Sequence, residues 1–128
     1  MMLNNDIINN YIDCCIGSNG SHYDISLVIY NILKDDYRYV GNNMWEYNNN
    51  NSWIIDEKNI KLKSAIKLDV NNYFIERSKY WLDMNNNDDI NLEIDNKHKS
   101  LKILQYSNKL KDDKFISQII KEVKQFYE

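Results

Sequence analysis

The chain has 128 residues, 43% of them apolar, and a formal net charge of −3, which suits one compact domain rather than a disordered chain. No apolar run approaches the roughly 18 residues that cross a bilayer. The opening Met1-Met2-Leu3-Asn4-Asn5-Asp6 has neither the basic region nor the apolar stretch of a signal peptide, so the expected location is inside a cell, without a membrane partner.

Leu3, Ile7, Ile8, Tyr11, Ile12, Cys15 and Ile16 recur at helical spacing, which predicts a helix over 3–16 with Gly17 as its C-terminal cap. Ser21 and Asp24 resemble a capping box ahead of Ile25, Val28, Ile29, Ile32 and Leu33, so a second helix is expected over 22–34. The period then changes. Tyr37 to Val40, Met44 to Tyr47 and Ser52 to Ile55 are short aromatic and β-branched runs separated by Gly41-Asn42-Asn43 and by Asn48 to Asn51, the pattern of a three-stranded antiparallel meander. So small a sheet needs helices behind it, and Trp45 and Trp53 are its expected contribution to that contact.

Residues 57–84 carry an apolar stripe through Ile60, Leu62, Ile66, Val70, Tyr73, Phe74, Trp81 and Met84 and predict one long helix. Asn85 to Asp89 end it, and 85–96 is the expected loop. A shorter helix over 97–109 holds Leu101, Leu104 and Tyr106. Asp112 or Asp113 then caps a final helix whose apolar face runs from Phe115 to Tyr127. The fold class is α+β, mainly α: a single domain over 1–128, with 1–19 as an N-terminal helix and linker.

Catalytic patterns are missing from this order. Gly17, Gly20 and Gly41 are the only glycines, too few and too scattered for a phosphate-binding loop or a dinucleotide fold. His22 and His98 lack a metal-ligand spacing, and Asp35-Asp36 and Asp88-Asp89 read as solvated turn acids. Cys14 and Cys15 are adjacent and cannot staple distant segments; two reduced thiols are expected. No nucleophile, base and orienting group can be assembled, and no cofactor is implied.

Charge is unevenly placed. Residues 1–56 carry two basic and seven acidic side chains, whereas 57–128 carry fourteen and twelve. Lys97, Lys99, Lys102, Lys109, Lys111 and Lys114 cluster around only Asp112 and Asp113. These lysines form a candidate phosphate contact, or the solvated outer face of amphipathic helices. Twenty-one asparagines and fourteen lysines, against two arginines and no proline, match what adenine- and thymine-rich codons impose. Patterns built from Asn or Lys alone therefore carry little weight.

The order of motifs from His22-Tyr23-Asp24-Ile25-Ser26, through Tyr37-Arg38-Tyr39-Val40, Trp45-Glu46-Tyr47 and Ser52-Trp53, to Lys109-Leu110 and Phe126-Tyr127 resembles the collar region of poxvirus and giant-virus primase-helicases. That region precedes the superfamily 3 helicase, and related segments occur in phage and plasmid primases. The similarity spans about residues 20–128. It implies a non-catalytic accessory or oligomerisation role in viral DNA replication, in the host cytoplasm or at the viral replication site. The implied partners are a superfamily 3 helicase domain or further copies in a ring, with DNA contacted weakly. Phe115, Ile119, Val123 and Phe126 are the expected interaction face, because the final helix carries more apolar circumference than one packing contact uses. The chain lacks the nucleotide loop, arginine finger and second acidic motif of the motor, so it is not itself the enzyme. A stand-alone viral interaction protein, or a degenerate helicase fragment, is the alternative.

Overall fold

A computed structural model describes residues 5–84 and 90–128. Leu3, the Asn85 to Asn87 run and the Asp88-Asp89 pair lie outside the described residues.

Helix α1 spans Asn5–Gly17 and buries Ile8, Ile12 and Cys15. Its left-handed cap falls later than Gly17, at Asn19 and Gly20, where the Gly20 amide returns to the Cys15 carbonyl at 2.7 Å. Gly20 is needed twice over: its φ is +74°, and a Cβ there would stand 2.5 Å from the Tyr106 ring. Helix α2, His22–Leu33, starts as the capping pattern requires, with the Ser21 hydroxyl accepting from the Asp24 amide at 3.2 Å.

Strands β1 (Tyr37–Tyr39), β2 (Trp45–Asn49) and β3 (Ser52–Ile55) form an antiparallel sheet in the order β1-β2-β3. The β2–β3 turn is shorter than the four-asparagine run suggests. Asn48 and Asn49 belong to β2, and Asn50 and Asn51, both left-handed, make the two-residue turn that matches strand twist. Tyr37, Tyr39, Trp45 and Tyr47 face the helices. Trp53 does not. Register sets it opposite Asn48, on the other face, where the Arg38 guanidinium lies 4.4 Å over its ring and bonds Glu46 at 2.6 Å. Only one of the two tryptophans therefore packs against the helices.

The expected single helix over 57–84 is broken in two ways. Glu57–Asn59 is a 3-10 turn with Lys58 and Asn59 left-handed, and the buried Asp56 carboxylate caps the following helix by accepting from the Lys61 and Leu62 amides. Helix α3 (Ile60–Ala65) then passes through a π turn, Ile66–Val70, into α4 (Asn71–Asp83). The buried positions Leu62, Ile66, Val70, Phe74 and Ser78 recur every four residues. In an α-helix each such step drifts by about 40°, and the wider π turn takes up the excess.

Helix α5 spans Ile90–Lys109, so the residues expected as a loop up to 96 are helical from Ile90 onward. Leu110 is buried in the connection, and α6 spans Asp113–Tyr127. Asp112 stands at its N-cap position but makes no side-chain capping bond; Asp113 pairs with Lys67 instead. The apolar face of α6 is as expected, with Phe115, Ile116, Ile119, Ile120 and Val123 buried. The resulting domain is mainly helical with one small antiparallel sheet. Helix α2 lies between α1 and α6, α5 packs on α4 and α1, and the sheet meets α6 through β1. No helix among the described residues is long and apolar enough to cross a membrane.

Candidate functional site

The six lysines from Lys97 to Lys114 do not form one face. Lys97 and Lys102 are five residues apart on α5, about 140° around the helix. Lys97 pairs with Glu93 at 3.6 Å. The Lys99 ammonium sits 4.2 Å over the Trp81 ring, and Lys102 donates to the Asn19 side-chain oxygen at 3.0 Å. Lys109 lies 6.0 Å from the centre of the Phe115 ring, while Lys111 and Lys114 are exposed around the start of α6. Four of the six thus make intramolecular contacts, along different sides of α5.

The expected interaction face on α6 is covered. Phe115, Ile119 and Val123 are buried in the core, and the Phe126 ring leans on Tyr23 and Tyr30 at 5.5 and 5.7 Å. Helix α2 brings enough apolar length to absorb nearly the whole face, so α6 has little apolar surface left to offer. The exposed apolar surface lies elsewhere. On α5, Ile90, Ile94, Leu101 and Leu104 share one stripe and are 71, 55, 60 and 39% exposed. The opposite side of that helix buries Asn96, Ser100, Ile103, Tyr106 and Ser107. Of the three residues that marked this helix in the sequence, Leu101 and Leu104 therefore face outward and Tyr106 is buried. A second apolar patch is the outer face of the sheet, where Val40, Met44 and Ile55 are exposed beside Trp53.

Between α1, α4 and α5 lies a compact polar node. Arg77 holds the Asp13 carboxylate with two bonds, Nε to Oδ1 at 3.0 Å and Nη2 to Oδ2 at 2.6 Å, and the Trp81 indole donates to Oδ1 at 2.9 Å. The guanidinium also lies 4.1 Å over the Tyr80 ring. Bidentate, stacked arginine is a fixed strut rather than a free ligand-binding charge.

Two of the clefts in the surface differ in charge. The wider, about 480 Å³, is lined by Asp36 and Asp69 among apolar neighbours. The narrower, about 270 Å³, lies between the β1–β2 turn, the 3-10 turn, α3 and α6, and is lined by Lys63, Lys121 and Lys124 together with Tyr39 and Trp45. Sequence reading missed this grouping, since Lys63 is 58 positions from Lys121. Ser117, Lys121 and Lys124 do share a helical stripe, the one local signal for it.

The histidines, the adjacent cysteines and the Asp35-Asp36 pair lie apart from one another along the chain. His22 stacks edge-on against Phe115 with ring centres 5.3 Å apart, and His98 is exposed on α5. Cys14 is exposed while Cys15 is buried, where the loss of solvation pushes its thiol up to about 12. The Tyr37 hydroxyl donates to the Lys61 carbonyl at 3.1 Å, and burial pushes it too up to about 12. Asp35 and Asp36 are exposed. Among the described residues no group of three or more His, Cys, Asp or Glu side chains converges where a metal ion would be held. No known protein family, no curated protein and no solved structure matches the chain.

Proposed function

We propose that the chain is a non-catalytic assembly domain, of the kind seen in the collar of viral primase-helicases, which associates head to tail with further copies of itself. The observation that carries this reading is the exposed apolar stripe of α5. The inward side of α5 mixes Asn96, Ser100 and Ser107 with Ile103 and Tyr106, while Ile90, Ile94, Leu101 and Leu104 form an apolar stripe that the described residues leave exposed.

A second copy is the occupant argued for because the chain offers two different apolar patches. The α5 stripe belongs to the part of the fold built on α4 and α1, whereas the outer sheet face belongs to the part built on α6. Contact between unlike faces of identical protomers is the heterologous geometry that closes rings. A protomer of net charge −3 repels polyanions at long range, so an assembly presenting several copies would hold DNA more tightly than one protomer does.

Light scattering across protein concentration tests the reading. The wild-type mass should rise above that of one protomer, and Ile94→Lys/Leu101→Lys should hold it at one protomer with the melting temperature unchanged. A wild-type chain that stays monomeric at submillimolar concentration, or assembly that survives the double substitution, overturns it.

A further inference from the structure

The narrow cleft under the β1–β2 turn has a chemistry of its own. Lys63 and Lys124 are half-buried in its walls, Lys121 stands at its rim, and no carboxylate lines it. Among the described residues none of the three lysines enters an ion pair. Asp113, one helical step before Ser117 on the same stripe of α6, is held by Lys67. Three ammonium groups around one recess, with the low-dielectric walls of Trp45 and Ile120 behind them, focus a positive potential; Asp113 acts on Lys63 from outside the recess, and no carboxylate stands within the lining. A doubly charged anion would supply what is missing.

The other lining groups narrow the class of anion. The side chains of Asn43, Asn59 and Ser117 add neutral hydrogen-bond donors, as phosphate oxygens require. Tyr39 presents an aromatic surface in the same recess, with the Lys124 ammonium 5.9 Å from its ring centre. The ring is fixed from behind, because its hydroxyl accepts from the Asn43 amide at 3.0 Å. The backbone on both sides is also preset, by left-handed Asn42 and Asn43 in one turn and Lys58 and Asn59 in the other. A volume of about 270 Å³ suits one small ligand rather than a folded partner.

We infer that this cleft binds a nucleotide unit, its phosphate held by Lys63, Lys121 and Lys124 and its flat base laid against Tyr39. Phosphate on a planar ring is the shared chemistry of two sources, a free mononucleotide and one residue of a single strand. The site lies within one protomer and stands independently of the assembly proposed above.

Calorimetric titration with inorganic phosphate, adenosine monophosphate and a single-stranded oligothymidylate tests the inference. Measurement in both the wild-type chain and the Ile94→Lys/Leu101→Lys background separates it from assembly. Adenosine monophosphate should bind more tightly than phosphate alone, and Lys121→Glu/Lys124→Glu should weaken it by roughly tenfold or more. Lys97→Glu/Lys111→Glu, which adds the same charge elsewhere, should leave affinity within about twofold. Lys124→Gln, a milder change, should weaken binding in the same direction should the double reversal disturb the fold. Oligonucleotide binding much tighter than mononucleotide and steeply salt-dependent identifies a strand as the source; equal affinities identify the free nucleotide. No binding of either at millimolar concentration, or equal losses from both pairs of reversals, overturns the site.

Discussion

Two helical contacts in this domain are built on opposite principles. Where α2 meets α6, the buried side chains are Ile25, Val28, Ile29, Ile32 and Leu33 against Phe115, Ile116, Ile119 and Val123, an almost wholly apolar seam. Where α4 meets α5, the buried residues are mixed, with polar pairs set beside Phe74, Ile103 and Tyr106. The Ser78 hydroxyl donates to the Ser100 carbonyl at 3.2 Å and lies 2.8 Å from the Ser100 hydroxyl. Ser107 bonds the Asn71 side chain, and Asn96 donates to the Met84 carbonyl at 2.6 Å. The first seam draws its stability from area removed from water, a force without direction. The second draws specificity from paired groups that must meet in one register, since each would be costly to bury alone. Polar pairs thus fill part of a seam that apolar side chains would otherwise take up, and Ile90, Ile94, Leu101 and Leu104 of α5 stay exposed.

Substitutions can break the contrast, beginning with the largest effect. Ile119→Ala should cost about 2–5 kcal/mol, as expected for a fully buried aliphatic side chain whose neighbours cannot collapse into the space, and a urea melt should show the midpoint falling without a change of slope. Asp13→Ala should cost about 2 kcal/mol, because it removes a charge-assisted pair that ties α1 to α4 and strands a guanidinium whose side chain is 13% exposed. Hydrogen exchange in α4 should accelerate in that variant; unchanged exchange would mean that the strut carries no load.

Ser78→Ala should cost about 1 kcal/mol, and Ser100→Ala about the same. The double substitution should cost less than their sum, because removing both hydroxyls leaves neither stranded. Full additivity in a double-mutant cycle would show that the two hydroxyls do not depend on one another. Smallest of all, Leu101→Gln should change stability by no more than about 0.5 kcal/mol, as for a surface position. A loss like that of Ile119→Ala would place Leu101 in the core after all.

The same contrast explains how much of the fold was legible in the sequence. Where burial is apolar, period and element agree: α1, α2, the three strands and α6 lie within a few residues of their expected bounds. Helix α5 starts seven residues before its expected bound because the one buried residue in that stretch is Asn96, which hydrophobic periodicity counts as solvent. Trp53 was misplaced for a related reason. Its bulk argues for burial, but parity within the strand decides the face, and parity depends on the turn spending only Asn50 and Asn51. The lysine cluster failed as a site because closeness in sequence is not closeness on a helix, whereas Lys63 and Lys121 meet only through the fold.

Among the described residues, seven positions other than glycine have a left-handed backbone, and six of them are asparagine: Asn19, Asn42, Asn43, Asn50, Asn51 and Asn59. Asparagine enters that region far more readily than other residues with a Cβ, and it surrenders less freedom on folding than glycine does. A gene that drifts away from guanine-rich glycine codons toward adenine-rich asparagine codons can thus keep its sharp turns. Mutational pressure on the nucleotides and the geometric demand of the chain here point the same way, so a composition that looks degenerate still encodes well-defined corners.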